Sequence, residues 1–182
     1  FSTNGFLDFA GSGVVHLVGG TCSVVAIAIL GARRGRFGPR GEALHMVVER
    51  EWAFRPHNRV LASLGTLILW FGWYGFNAGS TFKISGGASL ISARVATNTT
   101  LGGAAAGLSA FTCAWFVLGH ADIDALLNGL LAGLVSLTSG CAFVDPWHSL
   151  VIGLIGGVIY FFFARFMVWL RLDDPLQASA VH

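Results

Sequence analysis

Charge is absent from this chain over lengths that match the thickness of a lipid bilayer. Uncharged runs of 24, 23 and 27 residues lie between Asp8 and Arg33, Arg59 and Lys83, and Arg94 and Asp122. Runs of 20 and 19 follow, between Asp124 and Asp145 and between Asp145 and Arg165. A helix needs ~20 apolar residues to cross ~30 Å of hydrocarbon. Five membrane spans are therefore expected, at about 9–32, 60–82, 95–119, 125–144 and 147–170, with 175–182 beginning a sixth. The reading is all-α: a polytopic helix bundle forming one domain over 1–182.

Composition agrees, since 54% of the residues are hydrophobic and 11% are charged, against roughly 25% charged in soluble domains. No Lys/Arg run is interleaved with aromatics along a polar face, which excludes nucleic acid as an expected partner and leaves lipid as the main surroundings. Cys22, Cys113 and Cys141 sit far apart in apolar stretches, where a thiol behaves as a small hydrophobe. Their spacing fits no metal site, and no metal or cofactor is expected. The chain opens without Met and carries no signal-peptide pattern, so both ends read as cuts in a longer protein.

Alternating spans would gather nine basic residues on one side, Arg33, Arg34, Arg36, Arg40, Arg50, Arg55, Arg59, Arg165 and Arg171, leaving Lys83 and Arg94 opposite. That bias makes the 33–59 loop cytoplasmic and puts Asp8 at the outer face. Small residues four apart, at Gly75/Gly79, Gly103/Gly107, Gly129/Gly133 and Gly153/Gly157, mark expected close helix contacts.

Ionisable side chains inside a span are functional candidates by default. His16 lies in the first span, eight residues after Asp8, and His182 lies eight residues after Asp174. Eight helical residues cover ~12 Å, so both histidines should approach the midplane. They should arrive from opposite faces, as an inverted repeat would require. The segments DFAGSGVVH and DPLQASAVH share only Asp, Val and His. Taken alone, the two histidines could equally bond a neighbouring helix or ligate a metal. His45, His57, His120 and His148 fall in loops or at span ends and are assigned no pore role.

The segment DFAGSGVVHLVGGTCSVVAIAILGAR resembles the signature of the ammonium transporter family, the Amt, Mep and Rhesus group. GWYGFNAGS, NTTLGGAAAG, NGLLAGLVSLTSGCAFVDPW and DDPLQASAVH extend the likeness over nearly the whole chain. The resemblance implies a partial ammonium-transporter fold with an inverted repeat, running from helix five to the start of helix ten. It makes His16 and His182 the paired pore histidines, with Trp73 lining the pore. Phe76 would gate the outer mouth, Ser80 would meet incoming ammonium, and Asp8 and Asp174 would be structural acids. It further implies conduction of ammonia derived from ammonium, a plasma-membrane homotrimer, a cytoplasmic regulatory partner and no enzymatic activity. A sensor of the same fold and a membrane metalloprotein are the alternatives. Gln177, where the family commonly has an acid, and the arginine-rich stretch 33–55 depart from its pattern.

Overall fold

The structure is a computed structural model, and it describes residues 5–182. Residues 1–4 of the expected domain lie outside the described residues. Among the described residues, seven helices follow in order: α1 (Ser12–Leu30), α2 (Leu44–Ala53), α3 (Arg59–Gly79), α4 (Ala88–Leu118), α5 (Ile123–Leu137), α6 (Pro146–Trp169) and α7 (Ala178–Val181). Among the described residues there is no β-strand.

Local chemistry sets several of the ends. The Asn58 side chain accepts from Leu61 N at 2.9 Å and opens α3, and the Asp122 carboxylate accepts from Asp124 N at 2.9 Å and opens α5. Pro146 supplies the first turn of α6, where its missing N–H is no loss. Gly119, at φ 75°, takes the left-handed conformation that closes α4.

Helices α1, α3, α4 and α6 are long and apolar enough to cross a membrane, whereas α5 has 15 residues. Two boundaries differ from the charge-based expectation. Helix α4 begins at Ala88, so Arg94 is helical and not in a loop. Charge marks where a side chain must reach water, and the long Arg side chain allows backbone helicity to continue beyond that point. The stretch expected as 125–144 is helical only to Leu137 and then turns through residues 138–144. Non-helical backbone is tolerated at such a place when protein covers it. Here Asn98 Nδ2, fully buried on α4, donates to Cys141 O at 2.9 Å and to Val144 O at 2.8 Å.

Helices α4, α5 and α6 form the centre, and glycines set their spacing. A β-carbon at Gly103 would come within 2.9 Å of Leu134, and one at Gly133 within 2.6 Å of Gly102 O. Gly129 faces Ala110, and Gly153 and Gly157 lie on the carbonyls of Gly102 and Ala106. Three of the four anticipated glycine pairs therefore sit at close contacts. Gly75 and Gly79 do not: nothing described lies within 4 Å of a β-carbon at either position. The face of α3 that packs on α4 and α5 carries Trp73, Tyr74 and Asn77 instead.

Pairings along the helices give their directions. Gly102 and Ala106 match Gly153 and Gly157 in rising order, so α4 and α6 are parallel, while Ala106 and Ala110 match Gly133 and Gly129, so α5 runs against both. Helix α3 follows α5, with Arg59 near Asp124 at one end and Trp73 bonded to Thr138 at the other. Helix α7 runs against α1, because Asp173 at its entry binds Arg33 beyond the end of α1, and His182 meets His16 near the start.

Asp173 organises the arginine-rich end. Its carboxylate accepts from Arg33 Nε at 2.7 Å, Arg33 Nη2 at 2.9 Å and Arg33 N at 2.9 Å, with Arg36 Nε at 3.4 Å. Arg171 donates to Gly38 O at 2.6 Å, tying the 33–55 stretch to the turn after α6. The Arg33 side-chain bond holds the Asp173 carboxyl below the usual carboxylate range, against the opposing effect of burial. A depressed acid stabilises the fold above its unfolded pKa, and that contribution is lost as pH falls through the folded value. Asp173→Asn should therefore lower the melting temperature of the purified protein in detergent by several degrees at neutral pH. The gap should persist down to about pH 4, near the free carboxylate value, and close below it. A gap that held steady into strong acid would show that Asp173 acts without its charge.

Candidate functional site

Four of the residues singled out from the sequence, His16, Trp73, Phe76 and His182, converge where α1, α3 and α7 meet. His16, only 5% exposed, stacks on the Trp73 indole with ring centres 5.0 Å apart and planes 15° apart. Phe76 lies one turn along α3, its ring centre 5.4 Å from His16 and 5.6 Å from Trp73. The His182 ring approaches His16 edge-on, at 5.0 Å and 65°. Gly20, one turn after His16, makes this approach possible: a β-carbon there would fall 2.8 Å from the carbonyl carbon of His182.

The start of α1 is wound as a π-helix over Ser12–Leu17, and His16 N donates to Gly11 O at 3.1 Å. Such single wide turns recur at functional sites because they re-aim one side chain relative to the helix that follows. Gly11, at φ 101°, provides the left-handed turn that precedes it.

Asp8 and Asp174 do matching work at opposite ends of the antiparallel α1 and α7. Asp8 Oδ2 accepts from Gly13 N at 3.0 Å and Val14 N at 2.9 Å. Asp174 accepts from Ala178 N at 3.0 Å and Ser179 N at 2.8 Å, and in a short bond from the Ser179 hydroxyl. Both carboxylates are thus occupied with the free N–H groups of helix starts, where negative charge is favoured. Neither belongs to the ring cluster. Ser80, just past the end of α3, donates its hydroxyl to Phe76 O at 2.8 Å and keeps its lone pairs.

His16 Nε2 is buried without a protein hydrogen-bond partner. Among the described residues, no group of three or more His, Cys, Asp or Glu side chains gathers as a metal site would. His45 lies on α2, His120 in the turn after α4, and His148 against Trp147 at the start of α6, with ring centres 3.6 Å apart.

Two contributors escape a reading by sequence. Trp73 Nε1 donates to Thr138 Oγ1 at 3.0 Å, across 65 residues. Thr138 carries no charge and sits in an apolar run, so nothing distinguishes it from packing. Asp173 did have a signal, the acidic doublet set against a strongly basic loop, but spacing alone does not say which acid faces the arginines. At that end a cavity of ≈ 550 Å³ is lined by Asn128, Asp174 and Gln177, among others. Gln177, at φ 54°, accepts from Tyr160 Oη at 2.5 Å and from Asn128 Nδ2 at 3.2 Å.

Residues 1–182 match the Ammonium Transporter Family. The chain is 39% identical over 180 residues to Ammonium transporter 3 of Dictyostelium discoideum, covering 98% of this chain and 40% of that protein. It is 42% identical over 178 residues to Ammonium transporter Amt2 of Archaeoglobus fulgidus, covering 98% and 36%. Its fold aligns with a structure described as a Sensor Amt Protein at a TM-score of 0.84 and 36% identity, over 97% of this chain and 41% of that one. Saccharomyces cerevisiae Mep2 aligns at a TM-score of 0.74 and 30% identity, over 97% and 35%. The chain therefore spans about two fifths of the length of these relatives. With its apolar helices, this likeness makes it an integral membrane protein. The match along its full length, at this identity and with this shared fold, places the chain in the ammonium transporter family.

Proposed function

We propose that the intact protein moves ammonium across the membrane by conducting it as ammonia past His16 and His182. The observation that carries this reading is the pair of imidazoles, 5.0 Å apart, with His16 buried and His182 exposed, flanked by Trp73 and Phe76 and with no carboxylate in the ring cluster. A neutral imidazole offers one donor and one acceptor, enough to guide a small polar solute without supplying a fixed charge. Taking an ion into hydrocarbon costs far more than taking in a neutral molecule with hydrogen-bonding help. A dry passage of this kind separates ammonium from potassium, which a simple cation hole of the same size would not.

Phe76 and Ser80 serve the outer mouth in this reading. An aromatic face attracts a cation by roughly 0.5 to 2 kcal/mol, enough to recruit ammonium and too little to trap it. After losing a proton, the solute passes the histidines and regains a proton at the arginine-rich end. The basic bias of the 33–59 loop supports a cytoplasmic position for that end. Family membership supports a homotrimer in the plasma membrane, a transporter and not an enzyme, with a regulatory protein at the cytoplasmic face.

The likeness to a Sensor Amt Protein gives a second reading, ammonium binding without useful flux. Reconstitution of the intact protein in vesicles decides between them. An inward ammonium gradient should give uptake that potassium does not compete away. Saturable ammonium binding with flux no greater than in empty vesicles would instead support the sensor.

A further inference from the structure

The turn after α5 holds two halves of the ring cluster at once. A helix C-terminus leaves carbonyl groups without intrahelical donors. Two carbonyls beyond Leu137 are satisfied by the segment entering α1: Ala10 N donates to Thr138 O at 3.2 Å and Phe9 N to Ser139 O at 3.0 Å. Ser12 reinforces the join, accepting from Ser139 N at 2.7 Å and donating to Val135 O at 2.6 Å. The Thr138 hydroxyl spends its proton on Leu134 O at 2.7 Å, which leaves a lone pair for the Trp73 indole N–H at 3.0 Å. Thr138 is fully buried.

We propose that Thr138 is a positioning residue for the pore: its hydroxyl fixes the Trp73 indole against His16, while its carbonyl fixes the entry to α1. The proposal rests on the reading of His16 as a pore residue. An indole N–H can only donate, so with its one acceptor removed the ring is held by packing alone and gains from turning its N–H toward another acceptor or water. Trp73 covers one face of His16 at 15° between planes. A ring free to turn uncovers that face and admits water to a passage whose selectivity depends on excluding it. Imidazole and indole come from helices that are distant in sequence, and one two-residue step sets the position of both.

The test uses Thr138→Val, which removes the hydroxyl at nearly constant shape, and Thr138→Ser, which keeps it, in the intact protein reconstituted in vesicles. Ammonium flux should fall ~10-fold in Thr138→Val, since small misplacements in a preorganised site have large effects on rate. Thr138→Ser should stay within about twofold of wild type. The double variant Trp73→Phe/Thr138→Val should be no slower than Trp73→Phe alone, because both remove the same contact. The ultraviolet resonance Raman band that reports indole N–H bonding should shift in Thr138→Val, stay in place in Thr138→Ser, and show no such shift in the Trp73→Phe background. Wild-type flux with an unshifted band in Thr138→Val overturns the proposal. So does an equal loss in Thr138→Ser, or a double variant slower by the product of the two single effects. Should Thr138→Val fail to accumulate, Thr138→Cys presents a weaker acceptor of similar size and carries the same comparison. His16→Asp in the same vesicles keeps the two readings apart. If its transport is normal the pore reading fails, whereas if it is impaired while Thr138→Val is normal the positioning role alone fails.

Discussion

His16→Asp or His182→Asp in the intact protein is expected to change what crosses the membrane or stop it, while His45→Ala leaves ammonium transport as it was. The two rings are 5.0 Å apart, and the neighbours of His16 in the cluster, Trp73 and Phe76, are aromatic. The nearby acids of the sequence are already committed, Asp8 to the start of α1 and Asp174 to the start of α7. An introduced carboxylate would therefore meet no fixed positive partner. At ~5 Å, with an effective dielectric constant of about 20, it attracts a cation by ~3 kcal/mol, which lengthens a cation's stay by roughly a hundredfold. If it ionises, it demands a counter-ion and invites potassium or hydrated ammonium. If it protonates instead, it becomes a donor that can hold ammonia in place. Either way, ammonia-like conduction should drop by an order of magnitude or more, or selectivity against potassium should fall. Currents carried by ammonium and by potassium, measured beside ammonia flux, distinguish these outcomes. Wild-type rate and selectivity in both Asp variants, with a defect in His45→Ala on the exposed α2, would remove the basis of the pore assignment.

The equal eight-residue spacing of Asp8/His16 and Asp174/His182 carried more than the span lengths did. It anticipated two helices entering from opposite ends with both histidines near the midplane, while the pairing of the rings came from the family resemblance; the structure has α1 and α7 antiparallel with those rings in contact. What the spacing left out is the manner. The aspartates lie before the helices and cap them, and the first turn of α1 is a π-turn. Hydrophobic pattern cannot register a π-turn, because one extra residue in a uniformly apolar run leaves the run apolar. The same limit hides Thr138, whose importance comes from a bond made 65 residues away. Charge located the arginine-rich end but misplaced Arg94, since it reports the reach of side chains and not the state of the backbone.

Glycine spacing was legible as close packing and silent on which contacts are rigid, and that distinction gives the last expected result. Gly153→Ala should sharply reduce the amount of folded protein, whereas Gly156→Ala, three residues along the same helix, should be nearly neutral. Both glycines lie on α6, and both face a neighbour that a β-carbon would strike. At Gly153 the obstacle is the carbonyl of Gly102, part of the α4 backbone. It cannot move without shifting Asn98 one turn away, which holds Cys141 O and Val144 O, and Ala106, against which Gly133 and Gly157 pack. Overpacking of a rigid contact costs about 1–3 kcal/mol or more. That is a large part of the total stability of a typical domain, about 5–15 kcal/mol. At Gly156 the nearest atom is Ser136 Oγ at 2.6 Å, the end of an exposed side chain that donates to Ala132 O and can rotate away. Losing that bond is offset by the gain of about 1 kcal/mol from replacing a helical glycine with alanine. The yield of monodisperse protein after detergent extraction and its melting temperature give the comparison. Equal loss at both positions would mean that α4 and α6 are spaced by something other than the contact of Gly153 with the Gly102 backbone.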